Sequence, residues 1–570
     1  MLRSSRIVPM WLLCATAAAA LSACGSPDTA TSPAVTIDTP TSAGTLAVGA
    51  STTLNAGPAL TLTSGPSGDE FVLVVTDTAV DGRATANSFQ LGATNITAAG
   101  SVSAPATSIF AAAAGLSPNY AFSADLNRRA QQVLLPRVAG ARHLYAARSA
   151  GSALDRTALP AAAVQVGDLV TLNVSNDACD TIVPRAARVV AIGSTSIVVA
   201  DTLNPAGGFT TADYQRFAAR FDTLVYPIDV GNFGAPAALG PEGKILLFFT
   251  VAVNALTPRN STSYVGGFFF DRDQFPVTST VDGGACKGSN ARNLFYLLSP
   301  DPGGMINGNV RRTGFVDSVT TSVLAHEFQH LINSSRRLYV NASAAGFEVV
   351  WLNEGLSHVA EELLFLHEGK SGPRQNVDVT ALRASTALKD AFNADQSANA
   401  SRYNEYLVAP STNSPIRNDD SLATRGATWD FLRYAADRKV RTSGGTDASL
   451  WFALVNSQTN GIANLRGVFG ANVGAMLRDW SVSQYADDVV AGVSADLTQP
   501  SWNWHSIFPA LSSTSAYPLV VSSLSASGSN GTVIPGGARF YRFAVPANTS
   551  ATLTLTATGG VIQGTVVRVR

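Results

Sequence analysis

Two imidazoles four positions apart, with a carboxylate directly after the first, constrain this chain more than any other feature. His326-Glu327-Phe328-Gln329-His330 is an H-E-x-x-H sequence. A helix puts residues i and i+4 on one face, so both rings meet one metal ion when the segment is helical. The neighbouring Val319, Val323, Leu324 and Leu331 have helix-compatible spacing. The whole chain holds six histidines, so chance rarely supplies such a pair. His143, His367 and His505 have no partner at ligand spacing. Glu327 then lies beside the ion, able to polarise a water without being a ligand.

A catalytic zinc takes three protein ligands and keeps one position open. The third must come from another element, and Trp351-Leu352-Asn353-Glu354-Gly355 offers Glu354. Asn353 is a neighbouring polar support, and Gly355 permits a close helix approach. Glu348, Glu361 and Glu362 compete for the same role. Glu361 lies two helical turns after Glu354, about 10 Å further along the axis. Glu348 precedes the apolar run that opens the helix. His358 lies one turn after Glu354, placed to support a ligand or to meet a substrate oxyanion.

His326 to His330 followed by Trp351 to Gly355 resembles the gluzincin clan of zinc peptidases, and Trp-Leu-Asn-Glu-Gly is similar to the run in zinc aminopeptidases. The longer runs, His326 to Asn333 and Trp351 to Glu362, resemble the hyicolysin family of secreted bacterial neutral peptidases. The resemblance covers roughly residues 225–500. It implies an α+β zincin-like domain with a β upper lobe, a helical lower lobe and a cleft between them. It also implies one Zn2+ on His326, His330 and Glu354. The implied reaction is endopeptidase hydrolysis of peptide or protein substrates by a zinc-bound water, with Glu327 as general base.

Two departures stand out. Where thermolysin-like relatives carry an Asp four residues after the ligand Glu, this chain has His358. Where aminopeptidases carry a catalytic Tyr before a Lys-Gly pair, Ala423 precedes Arg425-Gly426. The oxyanion-stabilising group is therefore open among His358, Tyr403, Tyr406 and Tyr434. An aminopeptidase remains the alternative within enzymes, although no G-x-M-E-N-like run is present. The alternative from another class is a lipid-anchored binding or adhesion protein with an inactive peptidase-like domain; the intact Glu327 argues against it. A structural Ca2+ finds no carboxylate-rich loop at Gly240 to Lys244.

Arg3 and Arg6 precede a short apolar run, Ile7 to Ala20, and Leu21-Ser22-Ala23-Cys24 resembles a bacterial lipobox. Residues 1–24 thus read as a lipoprotein-type signal peptide, which implies lipidation of Cys24, removal of everything before it, a membrane anchor and an extracytoplasmic envelope location. Gly25 favours the outer membrane, and secretion is the alternative. Charged residues are 14% of the chain and the net charge is −1, which excludes a chain-wide basic field for nucleic acid. With the export signal gone, Cys179 and Cys286 remain, and an even pair in an exported chain reads as one disulfide.

The expected organisation is multidomain, an α+β catalytic domain flanked by small all-β domains, acting as a monomer. Residues 25–45 read as a Ser/Thr/Pro-rich tether and 46–123 as a small β-sandwich. Residues 124–160 read as a basic helical linker, with a pro-segment or anionic-surface contact as the functional alternative. A barrel-like β unit follows at 161–209, the metallopeptidase domain at 210–515 and a β segment at 516–570. Leu294 to Leu298 is expected at the sheet edge where substrate pairs, with Val265 to Phe270 as rival.

Overall fold

The structure is a computed structural model that describes residues 44–99, 117–118, 121–149, 164–241, 243–278, 284–511 and 516–570. Cys24, the expected export signal and nearly all of the expected tether lie outside the described residues. No helix among the described residues is long and apolar enough to cross a membrane. The fold is α+β, with several sheets and many helices.

A six-stranded mixed sheet organises the site. Its strands are β1 (Leu169–Asn173), β2 (Pro184–Ile192), β3 (Ser196–Asp201), β4 (Ile245–Thr250), β5 (Gly267–Phe269) and β6 (Leu294–Leu298). The spatial order is β5-β6-β4-β3-β2-β1. Strands β3, β4 and β6 run parallel, while β5 lies antiparallel to β6, β2 to β3 and β1 to β2. Every residue of β4 is buried, the pattern of a strand covered on both faces. Leu247, Phe249, Phe295 and Leu297 face the helical lobe, where Phe328 of the H-E-x-x-H sequence joins their cluster. Leu246, Phe248, Leu294 and Tyr296 face the other way, toward Leu126, Ala130 and Leu134.

Two expectations change here. Residues 161–209 do not close a barrel of their own, because β3 hydrogen-bonds β4 and continues into the larger sheet. Leu294 to Leu298 is not an edge, because it lies between β4 and β5. The rival Val265 to Phe270 segment contains the edge strand. Alternation and apolar runs report which faces are buried and say nothing about neighbours.

Two helices, α1 (Ala121–Leu134) and α2 (Val138–Ser149), cover the second face. They were expected as a solvated linker, yet Leu126, Ala130, Leu134, Val138 and Ala141 are buried in that core. Arg142 donates to the carbonyls of Arg337, Leu338 and Ala344, while Arg128 and Arg129 stay exposed beside Asp125. Cys179 and Cys286 are joined, with Cα atoms 4.8 Å apart and 107 residues of sequence separation. In the chain-entropy picture a loop that long contributes on the order of 4–5 kcal/mol. The bridge ties the β1–β2 connection to the approach to β6.

The two chain ends build one β-sandwich rather than two separate units. One sheet runs Ser51–Asn55, Ile562–Arg568, Asp69–Asp77, Ala538–Val545, Val521–Ser523. The other runs Ser529–Val533, Asn87–Thr94, Ser550–Thr558, Leu60–Thr63. The strand Asp69–Asp77 is buried on both faces: Phe71, Leu73 and Val75 fill the sandwich, while Val72 and Val74 join the cluster of the helical lobe.

Four helices of that lobe hold the site: α3 (Thr313–Ser335), α4 (Val350–Glu368), α5 (Ser397–Leu407) and α6 (Leu422–Ser443). The second half of α3 is buried on all sides, as expected for a core helix. Two glycines set the helix spacing. A Cβ at Gly355 would lie 2.5 Å from Thr428 Cγ2, and one at Gly426 would lie 2.2 Å from the Arg402 carbonyl carbon. These close approaches bring α4, α5 and α6 together.

Candidate metal centre

Helix α3 presents His326 and His330 on one face, with Nε2 atoms 3.2 Å apart. Glu354, from the second turn of α4, brings Oε2 to 3.5 Å from His326 Nε2 and 3.6 Å from His330 Nε2. Zinc bonds of about 2.0–2.2 Å at tetrahedral angles place ligand atoms about 3.3–3.6 Å apart. The donor set therefore fits one such ion. All three side chains are buried. His326, His330 and Glu354 are thus brought together as their spacing suggested.

The two nitrogens of His326 have different duties. Nε2 faces the triad, while Nδ1 lies 2.8 Å from Glu361 Oε1. Glu361 also takes Arg402 Nη1 at 3.1 Å and lies 3.2 Å from His358 Nδ1. His326, His358 and Glu361 form a second cluster of potential ligands. The 2.8 Å contact is a hydrogen-bond length, and the Arg402 pairing already occupies the other oxygen of Glu361. That cluster orients the imidazole and holds its tautomer. Ser357 does the same for His330, 3.0 Å from Nδ1.

Glu354 carries its own arginine. Arg425 Nη1 lies 2.6 Å from Glu354 Oε2, and Asp420 grips the other edge of the guanidinium at 2.7 and 2.8 Å. Burial opposes ionisation of Glu354, yet Arg425 and His330 hold its carboxyl well below the usual range. Glu361 is likewise held well below by Arg402 and His358 against its burial. Burial pushes the His326 ring down, but bonds to Glu354 and Glu361 outweigh it and carry the ring up to about 9. Burial, then Arg402, pushes His358 far down, so it is neutral.

Glu327 points elsewhere, as a non-ligand should. Its Oε2 accepts the Phe269 N–H of edge strand β5 at 2.8 Å. The base candidate is thereby fixed against the β5 edge of the sheet.

The other expected residues separate cleanly. Asn353 accepts from Asn333 Nδ2 at 3.0 Å, so it joins α3 to α4 rather than touching the triad. Glu348 is consumed by Arg337, Asn464 and the Gly461 N–H. Glu362 accepts from the Trp502 indole at 2.8 Å. His358 sits behind His326, with ring centroids 4.8 Å apart, inside the Glu361–Arg402 network. Tyr434 donates to the Asp496 carbonyl, Tyr406 meets Gln484, and Tyr403 bonds Asp430, all in the tryptophan-rich core. Sequence reasoning missed Arg402, Arg425, Asp420 and Ser357. The available signal was helical spacing for Ser357, three residues after Glu354; the arginines arrive from distant helices.

No protein family profile matches the chain. A neutral metalloprotease of Staphylococcus hyicus, ShpI, is 23% identical over 288 residues, which are 49% of this chain and 60% of that protein. The match thus spans less than two thirds of the relative's length. It supports a metallopeptidase relationship. The likeness carries a metal with it, and the His and Glu groups described above are suited to hold one.

Proposed function

We propose that this chain is a zinc endopeptidase with a zincin-like catalytic domain of the gluzincin type, akin to the hyicolysin family. The carrying observation is the triad of His326, His330 and Glu354 at tetrahedral spacing, with Glu327 held beside it on the edge strand. The similarity to a neutral metalloprotease supports the reading.

A bound zinc ion would polarise the scissile carbonyl and raise the acidity of an attacking water. The residues of the chain do the rest. Glu327 takes the proton of that water on the carboxylate oxygen not held by Phe269, then passes it to the departing amine. The Phe269 N–H keeps the carboxylate from swinging away between the two transfers. Glu361 and Ser357 hold the imidazoles of His326 and His330 in the tautomers that aim Nε2 at the ion. His358 acts here as a positioning residue on Glu361. The substrate backbone docks along β5.

A lipid on Cys24 would anchor the enzyme to the bacterial envelope, outer membrane favoured. Metal content of the purified protein, measured together with casein hydrolysis before and after chelation, tests the reading. One zinc per chain and activity restored by zinc are expected. Casein hydrolysis that survives complete removal of metal overturns it.

A further inference from the structure

The free edge of β5 is already occupied, and the occupant comes from this chain. In an antiparallel pair, backbone groups alternate between facing the partner strand and facing away. The Gly266 carbonyl accepts from Leu298 N–H, so Gly266 and Phe268 face β6, while Gly267, Phe269 and Asp271 face outward. Those outward groups are what an extended peptide would pair with. On helix α1, Asn127 Nδ2 donates to the Phe269 carbonyl at 3.2 Å, and Asn127 Oδ1 accepts the Asp271 N–H at 3.3 Å. One side-chain amide thus takes up an acceptor and a donor that the backbone of a docked strand would otherwise pair with. The same Phe269 gives its N–H to Glu327, so the amide of Asn127 sits one backbone group from the base.

The contact is reinforced along the whole edge. Gln131 donates to Asp271 Oδ2 at 3.0 Å, and the Phe122 ring packs edge-on against Phe268 at 5.6 Å. Upstream, Ser117–Pro118 pairs in parallel with Ser263–Tyr264, just before β5. Residues 117–118 and then 122–131 therefore progress in the same direction as the edge strand. A substrate docked antiparallel would run the opposite way, so this segment covers the edge in a sense that does not offer its own bonds for cleavage.

We infer that helix α1 (Ala121–Leu134) is an autoinhibitory strap, with Asn127 standing in for substrate backbone on β5. The strap must be displaced or removed before an extended peptide reaches Glu327. This rests on the peptidase reading above.

The test uses the full chain carrying Glu327→Gln, with fluorescein-labelled casein peptides as the probe and fluorescence anisotropy as readout. Adding Asn127→Ala and Gln131→Ala should tighten peptide binding roughly tenfold, the scale of a few relieved hydrogen bonds. The milder Asn127→Asp, which retains size but loses the donor, should move in the same direction. Hydrogen exchange should show the Asp271 amide losing protection in the Asn127→Ala, Gln131→Ala variant, which removes its acceptor. Unchanged or weaker binding with that amide deprotected overturns the inference and leaves α1 a structural strut. If binding tightens but zinc-loaded protein carrying Asn127→Ala and Gln131→Ala with Glu327 intact hydrolyses nothing, the strap stands and the peptidase reading falls.

Discussion

The two sides of His326 carry nearly the same parts. Facing Nε2 are a glutamate, Glu354, and an arginine, Arg425; facing Nδ1 are Glu361 and Arg402. Both glutamates are on α4, and both are held well below the usual carboxylate range. Their roles differ because of what else each one sees. Glu354 meets two imidazole Nε2 atoms at once, which is a place for an ion. Glu361 meets one Nδ1 at hydrogen-bond distance, which is a place for a proton. The chemistry of a carboxylate here is set by the nitrogen it faces, and not by its type or its arginine.

Substitution should separate the two sides most sharply at the ligand. Glu354→Ala is expected to lose stoichiometric zinc and all hydrolysis, read by metal analysis of the purified protein. If the variant holds zinc as tightly as the parent, the front of His326 is not the metal site. Glu327→Gln, on the same side but outside the triad, should keep its zinc while turnover on a peptide substrate falls by about 10²–10⁴-fold. Unchanged turnover at full metal loading would end the general-base assignment.

Behind His326 the expected loss is smaller. Glu361→Ala should weaken zinc binding about 10–100-fold, the usual scale for removing a partner that orients a histidine ligand. A competition titration against a chelator measures it. A loss as complete as that of Glu354→Ala would make the two sides equivalent and refute the distinction.

Asp430 supplies the contrast of a buried carboxyl with no arginine among its hydrogen-bond partners. Burial pushes it up to about 7, against the indole N–H bonds of Trp480 and Trp504. Glu362 shows that a shared arginine is not enough. Its Arg433 also serves Asp437 and Asp447, and burial pushes this carboxyl up to about 7 as well. Between its ordinary value of 3.8 and about 7, Asp430 binds a proton in the folded state that the unfolded state releases. Its contribution therefore favours folding at the acid end and is lost as pH rises toward 7, with a limiting slope of about 1.4 kcal/mol per pH unit. Asp430→Asn should flatten that part of the stability profile in denaturant melts at pH 5, 6 and 7. A profile identical to the parent's would show that Asp430 titrates normally.

Much of the centre was legible before any fold. His326 and His330 had to share a helical face, Glu354 stood on a second helix beside a small residue, and Cys179 had Cys286 as its one partner outside the first 24 residues. Each of these inferences needs only local periodicity or a count. The strands show where such reasoning stops. Leu294 to Leu298 and Phe71 to Val75 announced themselves as buried β, and their neighbours did not. The first proved interior to the sheet, and the second pairs with strands from the far end of the chain. Likewise the helices at 121–149 showed amphipathic sequence but not what they would cover.

What the sequence determined by itself is that His326 and His330 share a face, because four-residue spacing on a helix is a property of the backbone alone. Which carboxylate faces both Nε2 atoms and which faces Nδ1 was decided by tertiary structure. So were the arginines beside them and the segment lying on β5. Gly355 and Gly426 let α4, α5 and α6 approach until Arg402 and Arg425 reach opposite sides of one histidine. Those contacts depend on distances between elements far apart in the chain, and short-range periodicity carries no information about such distances.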